Sequence, residues 1–171
     1  MKYTVWKNEK KIHEDIEISN SIEVVSKLTK KTPLDLIDHR MIGDKCVPIY
    51  AKRESLQYGG SFKMRGVGYT VYSAFDEIEK MKLDKKEPFY LVTQSTGNHG
   101  IAMIAALIKC LQFFPELDYV HPVVFASKNI QIEKLNKMKH LLYAYRILVG
   151  NPTAGNVFVD FENYEEAFCA R

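Results

Sequence analysis

Phe89-Tyr90-Leu91-Val92-Thr93-Gln94-Ser95-Thr96-Gly97-Asn98-His99-Gly100-Ile101 is the stretch on which the fold of this chain turns. Phe89 to Thr93 is a compact apolar run of strand length. Ile101 to Phe114 is a run apolar on most sides, the mark of a well-buried helix. A short polar turn joins them. A buried strand feeding a buried helix in this way is half of a βαβ unit, and the pattern repeats downstream. Val123 to Ala126 reads as a second strand. Ile132, Leu135, Met138, Leu141 and Leu142 then recur at helical spacing, with Lys134, Lys137 and Lys139 turned outward. Tyr145 to Val149 reads as a third strand, and Tyr164 to Arg171 as the start of another helix.

The upstream segments fit the same scheme. The first twenty residues are polar and weakly periodic. Ile22, Val25 and Leu28 mark a helix that Lys30-Lys31-Thr32-Pro33 stops. Val47 to Lys52 reads as a short strand entering the loop Glu54 to Gly60. A helix follows from Lys63 to about Lys82, with Val67, Val71, Ala74, Phe75 and Ile78 on one face. Strands alternating with long helices predict an α/β fold: a three-layer αβα arrangement with a parallel sheet and helices on both faces.

Composition narrows the function. The 171 residues are 46% hydrophobic and 26% charged, and 24 Lys and Arg against 21 Asp and Glu leave a net charge of +3. The basic residues are scattered, and runs such as Lys30-Lys31 and Lys85-Lys86 fit solvated faces, which argues against a nucleic-acid partner. No secretory signal opens the chain, and no apolar run is long enough to span a bilayer; Lys109 and Gln112 interrupt the longest. Cys46, Cys110 and Cys169 match no metal spacing, so no metal site is expected, and a reduced, cytoplasmic protein fits best. Cys110 reads as a small buried hydrophobe.

Two segments carry polar chemistry. In Tyr58-Gly59-Gly60-Ser61-Phe62-Lys63-Met64-Arg65-Gly66, the paired glycines allow close backbone approach and Ser61 can cap the following helix. Lys63 falls in that helix's first turn, where the dipole opposes a further positive charge, a setting suited to a nucleophilic amine. In the turn Thr93 to Gly100, free N–H groups and hydroxyls meet a helix N-terminus at the carboxyl edge of a parallel sheet, a ready site for a carboxylate or phosphate. Glycine spacing and ending exclude a P-loop. Each segment alone also has a plainer reading. Lys63 would be a surface lysine after a cap, Ser95 and Asn98 ordinary caps, and His99 a partly buried histidine.

Together, Ser61-Phe62-Lys63-Met64-Arg65-Gly66 and Ser95-Thr96-Gly97-Asn98-His99 resemble the motif pair of the fold-type II pyridoxal-phosphate enzymes, the tryptophan synthase beta-like superfamily. Gly97-Asn98-His99 stands where sulfhydrylases and threonine synthases usually carry Gly-Asn-Thr, and Met64 where they tend to carry Asp. The chain is therefore most similar to the serine/threonine dehydratase and serine racemase branch, from Thr32-Pro33-Leu34 to the last helix. The resemblance implies that Lys63 holds pyridoxal 5'-phosphate covalently, passes it to the substrate amine and removes the α-proton. It implies that Asn98 hydrogen-bonds the cofactor's phenolic oxygen and that Phe62 packs near the ring. Ser95, Thr96, Gly97 and His99 would grip the substrate carboxylate. The reaction implied is β-elimination on L-serine or L-threonine to a 2-oxo acid and ammonia. Racemisation of serine, or a non-catalytic remnant or assembly subunit that keeps the scaffold, are the alternatives.

Two departures are visible. Thr96 occupies a position often Ser or Ala in the family, where a serine can serve racemases as second acid/base, and Val67 replaces a common alanine. The family's glycine-rich phosphate loop and its ring-nitrogen partner lie further along the chain than these residues reach. The expectation is an N-terminal portion: residues 1–66 an incomplete piece of the large domain, 67–171 a small α/β domain, and an oligomer of identical chains at full length.

Overall fold

A computed structural model describes residues 22–81 and 87–161. The expectations for the first twenty residues, for Lys85-Lys86 and for a helix from Tyr164 lie outside the described residues.

Helix α1 covers residues 22–28 and ends in the fully buried Leu28, which packs beside Gly68. An antiparallel hairpin follows: β1 (Leu34–Ile42) and β2 (Lys45–Lys52), joined at Gly43, whose φ of 60° is a glycine's conformation. The sequence reading found β2 and missed β1. A register shift between Leu36 and Asp38, with the apolar Ile37 between them, breaks the period-2 alternation by which a strand announces itself.

The remaining elements are α2 (Lys63–Met81), β3 (Phe89–Gln94), α3 (Asn98–Cys110), β4 (Val120–Ser127), α4 (Ile132–Val149) and β5 (Asn156–Phe161). The three later strands form one parallel sheet in the order β3-β4-β5. The fold is α/β. Both crossovers step the same way across the sheet, so the right-handed rule places α3 and α4 on one face. There α3 packs on β3 and β4, α4 on β5, and α2 lies along α3. Val120, Pro122, Val124 and Ala126 point into this core. On the opposite face, Tyr90 (52%) and Val92 (49%) are half exposed among the described residues.

Residues Tyr145 to Val149 are not a strand. They are the last turns of α4, and the strand is β5, beyond Gly150 and Gly155. The Tyr-Arg-Ile-Leu-Val run has strand-like composition, but Leu135, Met138, Leu142 and Tyr145 share one buried helical stripe. The Tyr145 hydroxyl donates to the Val120 carbonyl, which holds that turn against β4. Gly150, left-handed at φ 66°, closes the helix.

Helix α3 is the centre of the core. Ile101 to Leu107 are all buried, and so is Cys110, whose thiol burial pushes up to about 12. Tyr72, Phe75 and Phe114 pack ring against ring between α2 and the end of α3, with centroids 5.2 and 6.0 Å apart.

Candidate active site at the carboxyl edge of the sheet

The β3–α3 turn is held from within by Ser95. Its backbone N–H bonds the Phe125 carbonyl at 2.9 Å, tying the end of β3 to β4. Its hydroxyl oxygen, only 2% exposed as a residue, accepts the N–H groups of Gly97 (3.1 Å) and Gly100 (2.8 Å). Gly97 is the N-cap of α3 at φ 156°. Gly100 presses α3 onto the sheet so closely that a β-carbon there would stand 2.9 Å from Val124 Cγ1. Two plain readings change accordingly. Asn98 is no cap, since α3 has no side-chain cap hydrogen bond. Ser95 does hold the first turn, which leaves its hydroxyl committed to the backbone rather than free for a carboxylate. The N–H groups of Asn98 and His99, in that first turn, remain available.

The other segment is fixed by residues whose part the sequence did not reveal. Arg65 donates to both carboxylate oxygens of Glu54, at 3.1 and 2.8 Å, and the Thr32 hydroxyl donates to the same carboxylate at 2.7 Å. This hydrogen bonding, Arg65 first, holds Glu54 below the usual carboxylate range. The buried Gln57 exchanges two hydrogen bonds with the Lys30 backbone. Gly59 lies against Ala102 with space for no β-carbon closer than 3.3 Å to its Cα. The Glu54–Gly60 loop is thereby clamped to the chain before β1 and seated on α3, one turn beyond the Ser95 turn. That seating brings the two motifs together. Ser61 does not cap α2: its hydroxyl is buried without a partner among the described residues.

Lys63 from α2, the turn Ser95–Gly97, Asn98 and His99 from α3, and Lys134 from α4 line one cleft of about 380 Å³. Phe62 is not in the cleft wall; it is exposed, with the Lys63 ammonium 5.1 Å from its ring centroid. Lys134 does not turn outward as its spacing suggested but is half-buried, whereas Lys137 and Lys139 are exposed. A β-carbon at Gly97 would collide with the stem of Lys134, and one at Gly60 with Lys137 Nζ. No carboxylate lines the cleft among the described residues. His99 titrates below an ordinary histidine, chiefly because it is partly withdrawn from water and secondly because Lys63 stands near. A smaller cavity of about 150 Å³, walled by Val67, Val71, Leu91 and Met103, adjoins the far side of His99. No cluster among the described residues could hold a metal ion, and no described helix is long and apolar enough to cross a membrane.

A lysine amine and the first-turn N–H groups of Asn98 and His99, at one polar cleft, suit a cofactor with an aldehyde and acidic oxygens. Residues 25–142 match the family of pyridoxal-phosphate dependent enzymes. The chain belongs to that family. Its fold is that of a fold-type II pyridoxal-phosphate enzyme. It is 29% identical over 114 residues to an L-threonine dehydratase of Staphylococcus saprophyticus, covering 66% of this chain and 22% of the relative. It is 42% identical over 72 residues to serine racemase of Dictyostelium discoideum, covering 40% of this chain and 20% of the relative. The chain thus spans about a fifth of the length of either. Among solved structures, a pyridoxal 5'-phosphate-dependent aspartate racemase superposes with a TM-score of 0.60 at 23% identity, covering 91% of this chain and 40% of that one. Threonine deaminase isoform 2 of Solanum lycopersicum superposes with a TM-score of 0.56 at 20% identity, covering 92% and 36%. Lys63 places an amine and Asn98 an amide in one cleft wall, groups whose chemistry suits the aldehyde and polar rim of pyridoxal phosphate.

Proposed function

We propose that this chain forms the lysine-bearing part of an ammonia-lyase that eliminates the β-hydroxyl of L-serine or L-threonine. The observation that carries it is the single cleft in which Lys63 and the Ser95–His99 turn face each other. The likeness to the staphylococcal dehydratase supports the elimination chemistry. Bound pyridoxal phosphate supplies an aldehyde that takes an amine covalently and a ring that draws electrons from the amino acid's α-carbon. Lys63 would hold the cofactor through its amine and, once the substrate's amine has displaced it, its freed amine would accept the α-proton. Asn98 steadies the phenolic oxygen by hydrogen bonding. The N–H of His99, the Thr96 hydroxyl and the backbone around Gly97 hold the substrate carboxylate, while Ser95 keeps that turn in shape. Phe62 shields Lys63 on its outer side. The balance is loss of water from the β-hydroxy amino acid, then hydrolysis of the resulting enamine to a 2-oxo acid and ammonia.

Racemisation of serine is the second reading. It is supported by the likeness to the Dictyostelium racemase and by Thr96, whose hydroxyl lines the cleft where a second acid/base would act. For the domains, residues 1–66 would belong to a larger domain and 67–171 to a small one. The exposed apolar side chains of the β1–β2 hairpin support that division.

Borohydride reduction of the full-length, yellow protein is expected to fix the cofactor's mass on the peptide containing Lys63. Lys63→Ala should lose both colour and turnover. Label on another lysine ends the assignment, and colourless protein after incubation with the cofactor favours the non-catalytic scaffold.

A further inference from the structure

Once Lys63 is committed to the cofactor, the donors left for a substrate carboxylate are few. The Ser95 hydroxyl and the N–H groups of Gly97 and Gly100 are used up inside the turn. His99 is held towards its neutral form. Among the residues lining the cleft, Lys134 is then the one fixed cation, and no carboxylate there offsets it. Nor does the Lys134 ammonium make an ion pair or a hydrogen bond with any other described residue. It is half-buried, and its stem lies along Gly97, in space that any side chain at position 97 would take. The stem of this half-buried lysine lies across the turn proposed to hold a carboxylate, and its ammonium lacks a counter-charge among the described residues.

We propose that Lys134 is the charged partner of the substrate's α-carboxylate: a binding residue contributed by α4, with Gly97 kept bare so that its stem can cross the turn. This deepens the reading of the site and rests on it. It makes the selectivity for a free amino acid, over its amide or ester, a property of Lys134 rather than of the turn alone. The competing anion is the cofactor's own phosphate, which the same ammonium could serve.

The test uses L-alanine and L-alaninamide, which share amine and side chain, lack a β-leaving group and differ in the carboxylate. Both are titrated into the full-length protein loaded with pyridoxal phosphate, and cofactor retention is measured on dialysis. Unaltered protein should bind alanine about tenfold or more tightly than alaninamide. Lys134→Gln and Lys134→Met should bring the two within about twofold, by weakening alanine, with cofactor retention unchanged. Lys134→Arg should keep most of the preference, and Lys139→Gln, the same charge loss at an exposed position of α4, all of it. Selectivity that survives in Lys134→Gln and Lys134→Met overturns the proposal, as does its absence from the unaltered protein. Cofactor loss in those variants overturns it in favour of the phosphate. Failure of the unaltered protein to load cofactor sinks the Lys63 reading and this one with it, whereas normal loading with unchanged selectivity sinks this one alone.

Discussion

Ser95 and Asn98 are three positions apart in one turn, yet they do opposite kinds of work. The Ser95 hydroxyl satisfies two backbone N–H groups in a place water does not reach. Ser95→Ala leaves both unsatisfied and should cost about 1–3 kcal/mol of stability by denaturant titration. Activity should fall with it, because the turn loses its shape. Asn98 is exposed, caps nothing, and Asn98→Ala should move stability by no more than about 0.5 kcal/mol. If its amide steadies the cofactor's oxygen, turnover in the full-length enzyme should drop about 10–100-fold, the worth of a hydrogen bond to a charged group. A variant with lowered stability and intact specific activity would assign Asn98 to the scaffold.

At the scale of an element, β4 buries a titratable group on the face opposite the core. His121 is buried with its ring edge-on to Tyr90 and Tyr145, at centroid distances of 5.9 and 6.5 Å. Burial lowers its pKa from the ordinary 6.5, and Asp118 opposes this only in part. The unfolded chain therefore takes up a proton more readily than the fold. Stability from this histidine is complete above 6.5 and is lost as pH falls from there through the folded value. His99 acts in the same direction. Glu54, held below 4.5 by Arg65, contributes stability that is lost only in more acid solution. Melting temperatures at pH 7.5 and 5.5 should thus separate, and His121→Gln should narrow the gap. An equal gap in both proteins would remove His121 from the account. The same element explains a misreading: the turn of α4 that looked like a strand is the one whose Tyr145 reaches back to β4.

At the scale of the whole molecule, the hairpin and the outer face of the sheet both leave apolar surface open among the described residues. Among those residues, the β1–β2 hairpin contacts little beyond itself and exposes Met41 (65%) and Ile42 (67%), although a lone hairpin is marginal in water. The sheet exposes Tyr90, Val92 and Phe158 on the face away from α3 and α4. Surfaces of this kind drive association. The 171-residue chain by itself should therefore show a mass that rises with concentration in size-exclusion chromatography with light scattering. Ile42→Lys should reduce the rise. A concentration-independent monomer would show that these patches are harmless.

The sequence by itself determined the α/β class, α2 and α3 nearly to their ends, and the pair of segments on which the site is built. Those features are written locally, in apolar periodicity and in which residues can serve a turn or form a covalent link through an amine. Residues Tyr145 to Val149 were ambiguous because a short apolar run suits a strand or a buried helix equally, and only packing against β4 decides. β1 was hidden by a bulge, which has no sequence period. Lys134 and Lys137 were read as outward because they lie off the apolar stripe. The stem of Lys134 bends back over Gly97, and the ammonium of the still exposed Lys137 reaches Gly60; contacts between residues so remote in sequence exist only after α4 has docked beside α3. The convergence of Lys63 with the Ser95 turn was likewise decided by tertiary structure, through the seating of Gly59 on Ala102 and the grip of Arg65 on Glu54.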